Sequence, residues 1–195
     1  MAEKSIIVLD NFYSDPHHIR QRAFGMEWLD KYGNHPGKRT YADRHPSVKT
    51  ALEDAIGKKI TNWDEDWNTH NGAYNLCKQT DRCWIHSDWG TSWACVVYLT
   101  PDAPLSSGTG LYQHKKTGFR SPHDAKTPEE KALAKEFEKN DSLDFTAWEL
   151  TDYVGNVFNR AVLYAGHYYH SAVQYFGHSD EYCRMHQTFF FSTEN

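Results

Sequence analysis

Apolar residues follow two different rhythms along this chain. Residues 5–13, Ser-Ile-Ile-Val-Leu-Asp-Asn-Phe-Tyr, form a short apolar block that reads as a strand. Asp15-Pro16 then supplies an N-cap followed by proline at the first helical position, which predicts a helix from Pro16 to about Phe24 with Ile19 and Ala23 on one face. A loop rich in Gly, His and charge runs from Lys31 to Arg44. Beyond it Val48, Leu52, Ala55 and Ile56 keep helical spacing, so a second helix is predicted over 47–56, closed by Gly57. Residues 1–68 therefore read as helical support lying on a sheet.

From Asn71 onward the helical period gives way to short apolar runs. Strands are predicted at 73–77, 83–89, 92–100, 110–114, 155–164, around His170, and at 183–191, separated by Gly, Pro, Asp and Ser turns. That spacing suggests a sandwich or jelly roll. Residues 115–150 interrupt it, and within them Thr127-Pro128-Glu129-Glu130 is a capping box that opens a charged helix to about Glu138. The insertion reads either as a lid or as a solvated excursion. No repeat, linker or low-complexity tract divides the chain, so residues 1–195 are expected to form one domain.

Composition narrows the partners. With 39% hydrophobic residues, including seven Trp, twelve Tyr and ten Phe, the chain can fill a substantial core. A formal net charge of -5 offers no broad cationic field, which disfavours nucleic acid and anionic membrane. No apolar run approaches the roughly 20 residues needed to span a bilayer, and Met-Ala-Glu-Lys-Ser lacks the apolar segment of a secretory signal. A cytoplasmic protein is expected. Cys77, Cys83, Cys95 and Cys183 contain no C-x-x-C pair, so buried free thiols are expected rather than a zinc knuckle.

Candidate chemistry concentrates at residues 84–90, Trp-Ile-His-Ser-Asp-Trp-Gly. On a strand, His86 and Asp88 would share a face about 7 Å apart along the chain. A His-x-Asp triplet alone is a weak signal, since it often marks a hydrogen-bonded surface pair. A second histidine far along the chain changes its meaning. Ala-Gly-His-Tyr-Tyr-His-Ser-Ala offers His167 and His170, which cannot share a face of one strand. Small residues after His170 leave room at a metal, whereas His167, next to Gly166, reads as a turn residue. Two imidazoles and one carboxylate form the facial donor set that suits non-haem Fe(II), with positions left for a chelating keto acid and dioxygen.

Arg184, in the aromatic strand Cys-Arg-Met-His-Gln-Thr-Phe-Phe-Phe, has the two-pronged geometry that suits a carboxylate of such a co-substrate. His186 and Thr188 would share its face, making the Thr188 hydroxyl a second contact; the Tyr74 phenol, from a neighbouring strand, is another. Each also has a plainer role, Arg184 as a surface charge and Tyr74 as a core residue. Trp84 and Trp93 read as core, and Trp89 as a candidate pocket wall.

With these residues the chain resembles the Fe(II)/2-oxoglutarate-dependent oxygenase superfamily, whose signature is His-x-Asp, a distal His and a following basic residue. Here they stand as His86-Ser87-Asp88, His170 and Arg184. The similarity extends to small prolyl-hydroxylase-like members through Ile-Val-Leu-Asp-Asn-Phe-Tyr-Ser-Asp-Pro, Gly-Thr-Gly-Leu-Tyr-Gln-His and Phe-Asn-Arg-Ala-Val-Leu-Tyr-Ala-Gly. The resemblance implies a double-stranded β-helix, mainly β with flanking helices. It implies His86, Asp88 and His170 as catalytic metal ligands, and 2-oxoglutarate held by Arg184, with Tyr74 and Thr188 as further contacts. It also implies O2-driven hydroxylation of a small-molecule or peptide substrate with release of succinate and CO2, supported by ascorbate. The carboxylate at Asp88 speaks against halogenases, which carry a small residue there. The common Arg-x-Ser/Thr spacing is absent after Arg184. A non-catalytic metal- or ligand-binding jelly roll would use the same donors, as would a zinc hydrolase, which gives Arg184 no task. Succinate formation separates the first reading from both.

Overall fold

The computed structural model describes residues 6–30, 35–88 and 90–194. Strand β1 (Ile6–Leu9) leads to helix α1 (Pro16–Phe24), whose Asp15 cap accepts the His18 amide. Strands β2 (Trp28–Asp30) and β3 (Lys38–Ala42) precede α2 (Pro46–Ile56). That helix ends at Gly57 with φ 78°, a left-handed turn that glycine adopts without steric penalty. There follow β4 (Ile60–Trp63), β5 (Ala73–Cys77), β6 (Trp93–Tyr98), β7 (Thr109–His114), α3 (Pro128–Asn140), β8 (Trp148–Val154), β9 (Ala161–Ala165), β10 (His170–Ala172) and β11 (Arg184–Thr193). Both α1 and α3 start at the prolines that the capping signals mark, and the Thr127–Glu130 capping box forms.

Two antiparallel sheets result. The major one runs β1-β9-β6-β11-β5-β3-β2, with β4 pairing the end of β11, and the minor one runs β10-β7-β8. The central strands of the major sheet are buried on both faces, and strict alternation sorts their side chains. Cys95 and Val97 of β6 and Met185, Phe189 and Phe191 of β11 pack with Ala23, Val48 and Leu52 of the helices. Ala94, Val96, Tyr98 and Phe190 face the other way, towards Leu111 of β7 and Val154 of β8. The Tyr98 and Thr109 hydroxyls meet between the sheets at 2.7 Å. Behind the minor sheet, Ala134 and Phe137 of α3 pack with Tyr112, Trp148 and Tyr169.

Phe189 is fully buried on the helix face. Phe189→Ala is therefore expected to lower unfolding stability by about 3 to 5 kcal/mol, read as a shift in the urea midpoint at unchanged slope. The free cysteines follow expectation in part: Cys77, Cys95 and Cys183 are buried, and Cys83 is half-buried. Among the described residues no helix is long and apolar enough to cross a membrane.

Residues 83–89 depart from the expected strand. Among those described there is one antiparallel bridge, His86 to His170. The Ile85 amide instead donates to Ser142 O and the Asp88 amide to Gly166 O, so loops on either side hold this segment. Strands β2, β3, β4 and β8 were not expected. β2, β3 and β4 are only three to five residues long, too short to show a period, and β8, at an edge with mostly exposed residues, begins inside the interval read as an insertion. No described residue of 115–150 lines the main cavity. This segment braces from outside, where Ser142 O takes the Ile85 amide and Glu138 takes the Tyr169 hydroxyl at 2.8 Å.

Candidate metal centre

At one end of the space between the sheets lies a cavity of about 690 Å³. His86 and Asp88 enter it from the loop before β6, and His170 enters from the first position of β10. Their ligand atoms all lie within 4.8 Å of one another. Two backbone hydrogen bonds, His86 N to His170 O at 3.0 Å and His170 N to His86 O at 2.8 Å, tie the distant segments together. A glycine allows the next contact: a Cβ at Gly166 would stand 3.2 Å from Thr91 O and 3.5 Å from Asp88 Cβ.

Ring orientation is set from behind. His86 Nδ1 lies 3.1 Å from Trp84 O, and His170 Nδ1 lies 2.7 Å from Tyr168 O. A carbonyl can only accept, so each Nδ1 carries the proton and each Nε2 presents a lone pair. Asp88 Oδ2 is buried without a hydrogen-bond donor. His170 Nε2 stands 3.3 Å from it and His86 Nε2 stands 3.9 Å from Asp88 Oδ1, yet neither nitrogen has a hydrogen to give. With neutral rings, three acceptor groups converge here, an arrangement that a cation relieves. Burial and the adjacent His170 push His86 down to about 4 despite the pull of Asp88. Burial alone would raise the Asp88 carboxyl, but His170 beside it holds it below the usual range. At neutral pH His86 is neutral and Asp88 ionised, the forms that bind metal.

The same cavity holds Arg184, which is 3% exposed. Its Nε donates to Ser107 O at 2.9 Å, and its guanidinium lies 5.3 Å from the Tyr98 ring centroid and 5.8 Å from that of Tyr175. Among the described residues no carboxylate pairs with it. A buried cation without a counter-charge is costly, and this one faces a cavity large enough to admit an anion.

The structure brings together His86, Asp88, His170, Arg184 and Thr188, and leaves out Tyr74. In the β5–β11 register Arg184 lies opposite Cys77 and His186 opposite Asn75, so Asn75 and Cys77 share the cavity face. Tyr74, one residue off that rhythm, points to the helices, where its hydroxyl donates to Asp43 at 3.1 Å. The expected Tyr74 contact is thereby corrected. Thr188 lines the cavity, although its hydroxyl donates to His70 O at 2.9 Å. His167 stacks on His123 with centroids 4.7 Å apart and does not line the cavity. Trp93 is core, Trp84 instead lines the cavity beside His86, and Trp89 lies outside the described residues. The sequence reading missed His35, His70, Asn75 and Tyr175 on the wall. For Asn75 the alternation along β5 was the available signal; His35 and His70 come from loops with no periodicity to follow.

The fold is shared with solved proteins. HygX from Streptomyces hygroscopicus, solved with nickel, 2-oxoglutarate and hygromycin B, has a TM-score of 0.59 at 12% identity, covering 97% of this chain and 83% of that one. A prolyl hydroxylase from Trichoplax adhaerens, in complex with a hypoxia inducible factor oxygen degradation domain peptide fragment, has a TM-score of 0.55 at 11% identity, covering 96% and 83%. A Pseudomonas putida prolyl-4-hydroxylase has a TM-score of 0.51 at 11% identity, covering 98% and 94%. At such identities the likeness establishes the fold, a mainly β double-stranded β-helix with flanking helices. No curated protein matches the sequence. A family model described as a family of unknown function, DUF6445, matches residues 1–174, and the chain belongs to that family.

Proposed function

We propose that this protein is an Fe(II)- and 2-oxoglutarate-dependent oxygenase that hydroxylates a small-molecule or peptide substrate. One observation carries the reading: a single cavity contains both a convergent His-Asp-His cluster and a buried guanidinium that, among the described residues, has no carboxylate partner. His86, Asp88 and His170 would hold the iron. When bound, Fe(II) with 2-oxoglutarate supplies O2 activation coupled to release of succinate and CO2, and ascorbate supports it by keeping iron ferrous. His86 and His170 keep their Nε2 lone pairs directed inward through their Nδ1–H bonds. Asp88 contributes the negative charge. Arg184 orients the keto acid by gripping its distal carboxylate, and Tyr98 and Tyr175, whose rings flank the guanidinium, keep water from that carboxylate.

The similar structures were solved with hygromycin B in one case and a peptide in another, so the fold accommodates both kinds of ligand. Incubation with Fe(II), ascorbate and 2-oxoglutarate should release succinate above a metal-free control, even without the true substrate. No succinate, with or without a library of candidate substrates, contradicts the proposal.

The distal ligand has its own test. His170→Ala is expected to lose both iron retention and succinate release, whereas His167→Ala keeps most of each, because only His170 faces Asp88. The reverse pattern would transfer the role to His167.

A further inference from the structure

One wall of the cavity has no task in the account so far. Further along β11 from Arg184, Thr188 pairs with Val96 and Phe190 with Ala94, which in turn pairs with Tyr164, whose ring meets that of His170 at 4.6 Å. The Thr188 hydroxyl donates to His70 O at 2.9 Å and the Ala73 amide donates to the same carbonyl at 3.3 Å, which fastens His70 at the metal end of the cavity. Along the strand Thr188 is roughly 13 Å from Arg184, so His70 lies outside the carboxylate grip there.

His70 lines the cavity, and among the described residues neither of its ring nitrogens has a hydrogen-bond partner or is sealed from that space. His35 packs against it edge to face with centroids 5.8 Å apart, and is itself anchored by Nδ1–H, which donates to Pro36 O at 2.7 Å. Neighbouring Asn71 is already engaged: Nδ2 donates to Asp64 O at 2.8 Å, and Oδ1 accepts the Phe190 amide at 3.1 Å. Burial, then the Arg39 guanidinium and His35, push His70 down to about 4 against the pull of Asp88. At neutral pH it is an uncharged ring with one donor and one acceptor to spend.

Charge narrows what it can hold. Among the described residues that line the cavity, Arg184 is the one Lys or Arg, and it stands at the other end. Arg39 is fully buried and outside the lining, so it reaches His70 only as a field, which the Asp88 carboxylate opposes. The carboxylate that remains, Asp64, is exposed and already accepts the Asp66 amide at 3.0 Å. A charged group held at His70 would therefore lose its water without gaining a buried partner, whereas an uncharged polar group needs only the hydrogen bond that the ring offers.

We propose that His70 is a substrate-binding residue, whose ring hydrogen-bonds an uncharged polar group of the substrate, an amide or a hydroxyl, and so holds the adjoining carbon towards the His86, Asp88 and His170 cluster. The inference rests on the reading of the cavity as an oxygenase site and names the class of group that its substrate presents there.

Acetamide, acetate and acetamidinium share one planar shape and differ in charge. Each is titrated into protein loaded with 2-oxoglutarate and with Zn(II), a diamagnetic substitute for iron, while proton-nitrogen NMR follows the His70 ring, assigned by its loss in His70→Phe. Acetamide should shift the His70 resonances saturably, with a dissociation constant about tenfold or more below those of the two ions. Saturation transfer to the acetamide methyl group should fall by about tenfold or more in His70→Phe, which keeps a ring and loses both nitrogens, and return in part in His70→Gln, which restores a donor and an acceptor. No shift with acetamide, an equal or larger response to either ion, or parent-like acetamide binding in His70→Phe overturns the proposal. A parent that binds acetamide at His70 but never binds 2-oxoglutarate beside the metal removes the oxygenase reading and leaves the subsite standing. One that binds 2-oxoglutarate and ignores acetamide keeps the reading and removes the subsite.

Discussion

Asp88→Ala should lose iron binding and all keto-acid turnover while remaining folded. Asp88 is the only carboxylate of the cluster, and without it two imidazoles face the cavity from segments far apart in sequence. Changing even the outer partners of metal ligands costs about 10- to 100-fold in affinity, so removal of this ligand should cost more than about 100-fold. The fold should tolerate the change. Asp88 Oδ2 has no hydrogen bond to lose, and the loop is held through the Asp88 amide and Gly166 O, which alanine preserves. Iron titration beside a urea denaturation curve checks both halves. Parent-like iron affinity would remove Asp88 from the site.

Arg184→Ala should separate the keto acid from the metal. The guanidinium is buried, fixed by Ser107 O and flanked by two tyrosine rings, so a carboxylate docked against it is largely desolvated. Truncating one partner of such a pair costs roughly 2 to 5 kcal/mol, mostly because the other charge is left unpaired. At 1.4 kcal/mol per tenfold, 2-oxoglutarate affinity should fall by about 30-fold or more, with Fe(II) affinity nearly unchanged. Arg184→Lys should fall between, since it keeps the charge and loses the planar fork. Calorimetric titration of the keto acid into each variant supplies the comparison, and an unweakened Ala variant would make Arg184 a structural cation.

What the sequence reveals of this molecule follows from where side chains are sorted by burial. Central strands β5, β6 and β11 are buried on both faces and read as apolar runs, and α1 and α3 announce themselves through Pro16 and Pro128 behind capping residues. Edge strands such as β8, whose Glu149, Leu150 and Thr151 face solvent, carry no such imprint. The aromatic density around Trp84 suggests a strand, but Ile85 and Asp88 send their amides to Ser142 and Gly166, partners that local propensity cannot anticipate. That His86, Asp88, His170 and Arg184 line one cavity was legible because the proposed metal and anion would each demand particular chemistry at a few positions. Tyr74 was misplaced because a shift of one residue along a strand turns a side chain to the opposite face, and the register with Arg184 is a tertiary fact.

Iron and keto acid are proposed to share one cavity. Anaerobic addition of 2-oxoglutarate to the Fe(II)-loaded parent, followed by visible absorbance, tests this most directly. A keto acid that chelates the iron produces a metal-to-ligand charge-transfer band, and the prediction is a band that saturates at equimolar keto acid and is absent from Asp88→Ala. Iron-loaded parent protein that binds 2-oxoglutarate with no such band, or fails to bind it, would contradict the account.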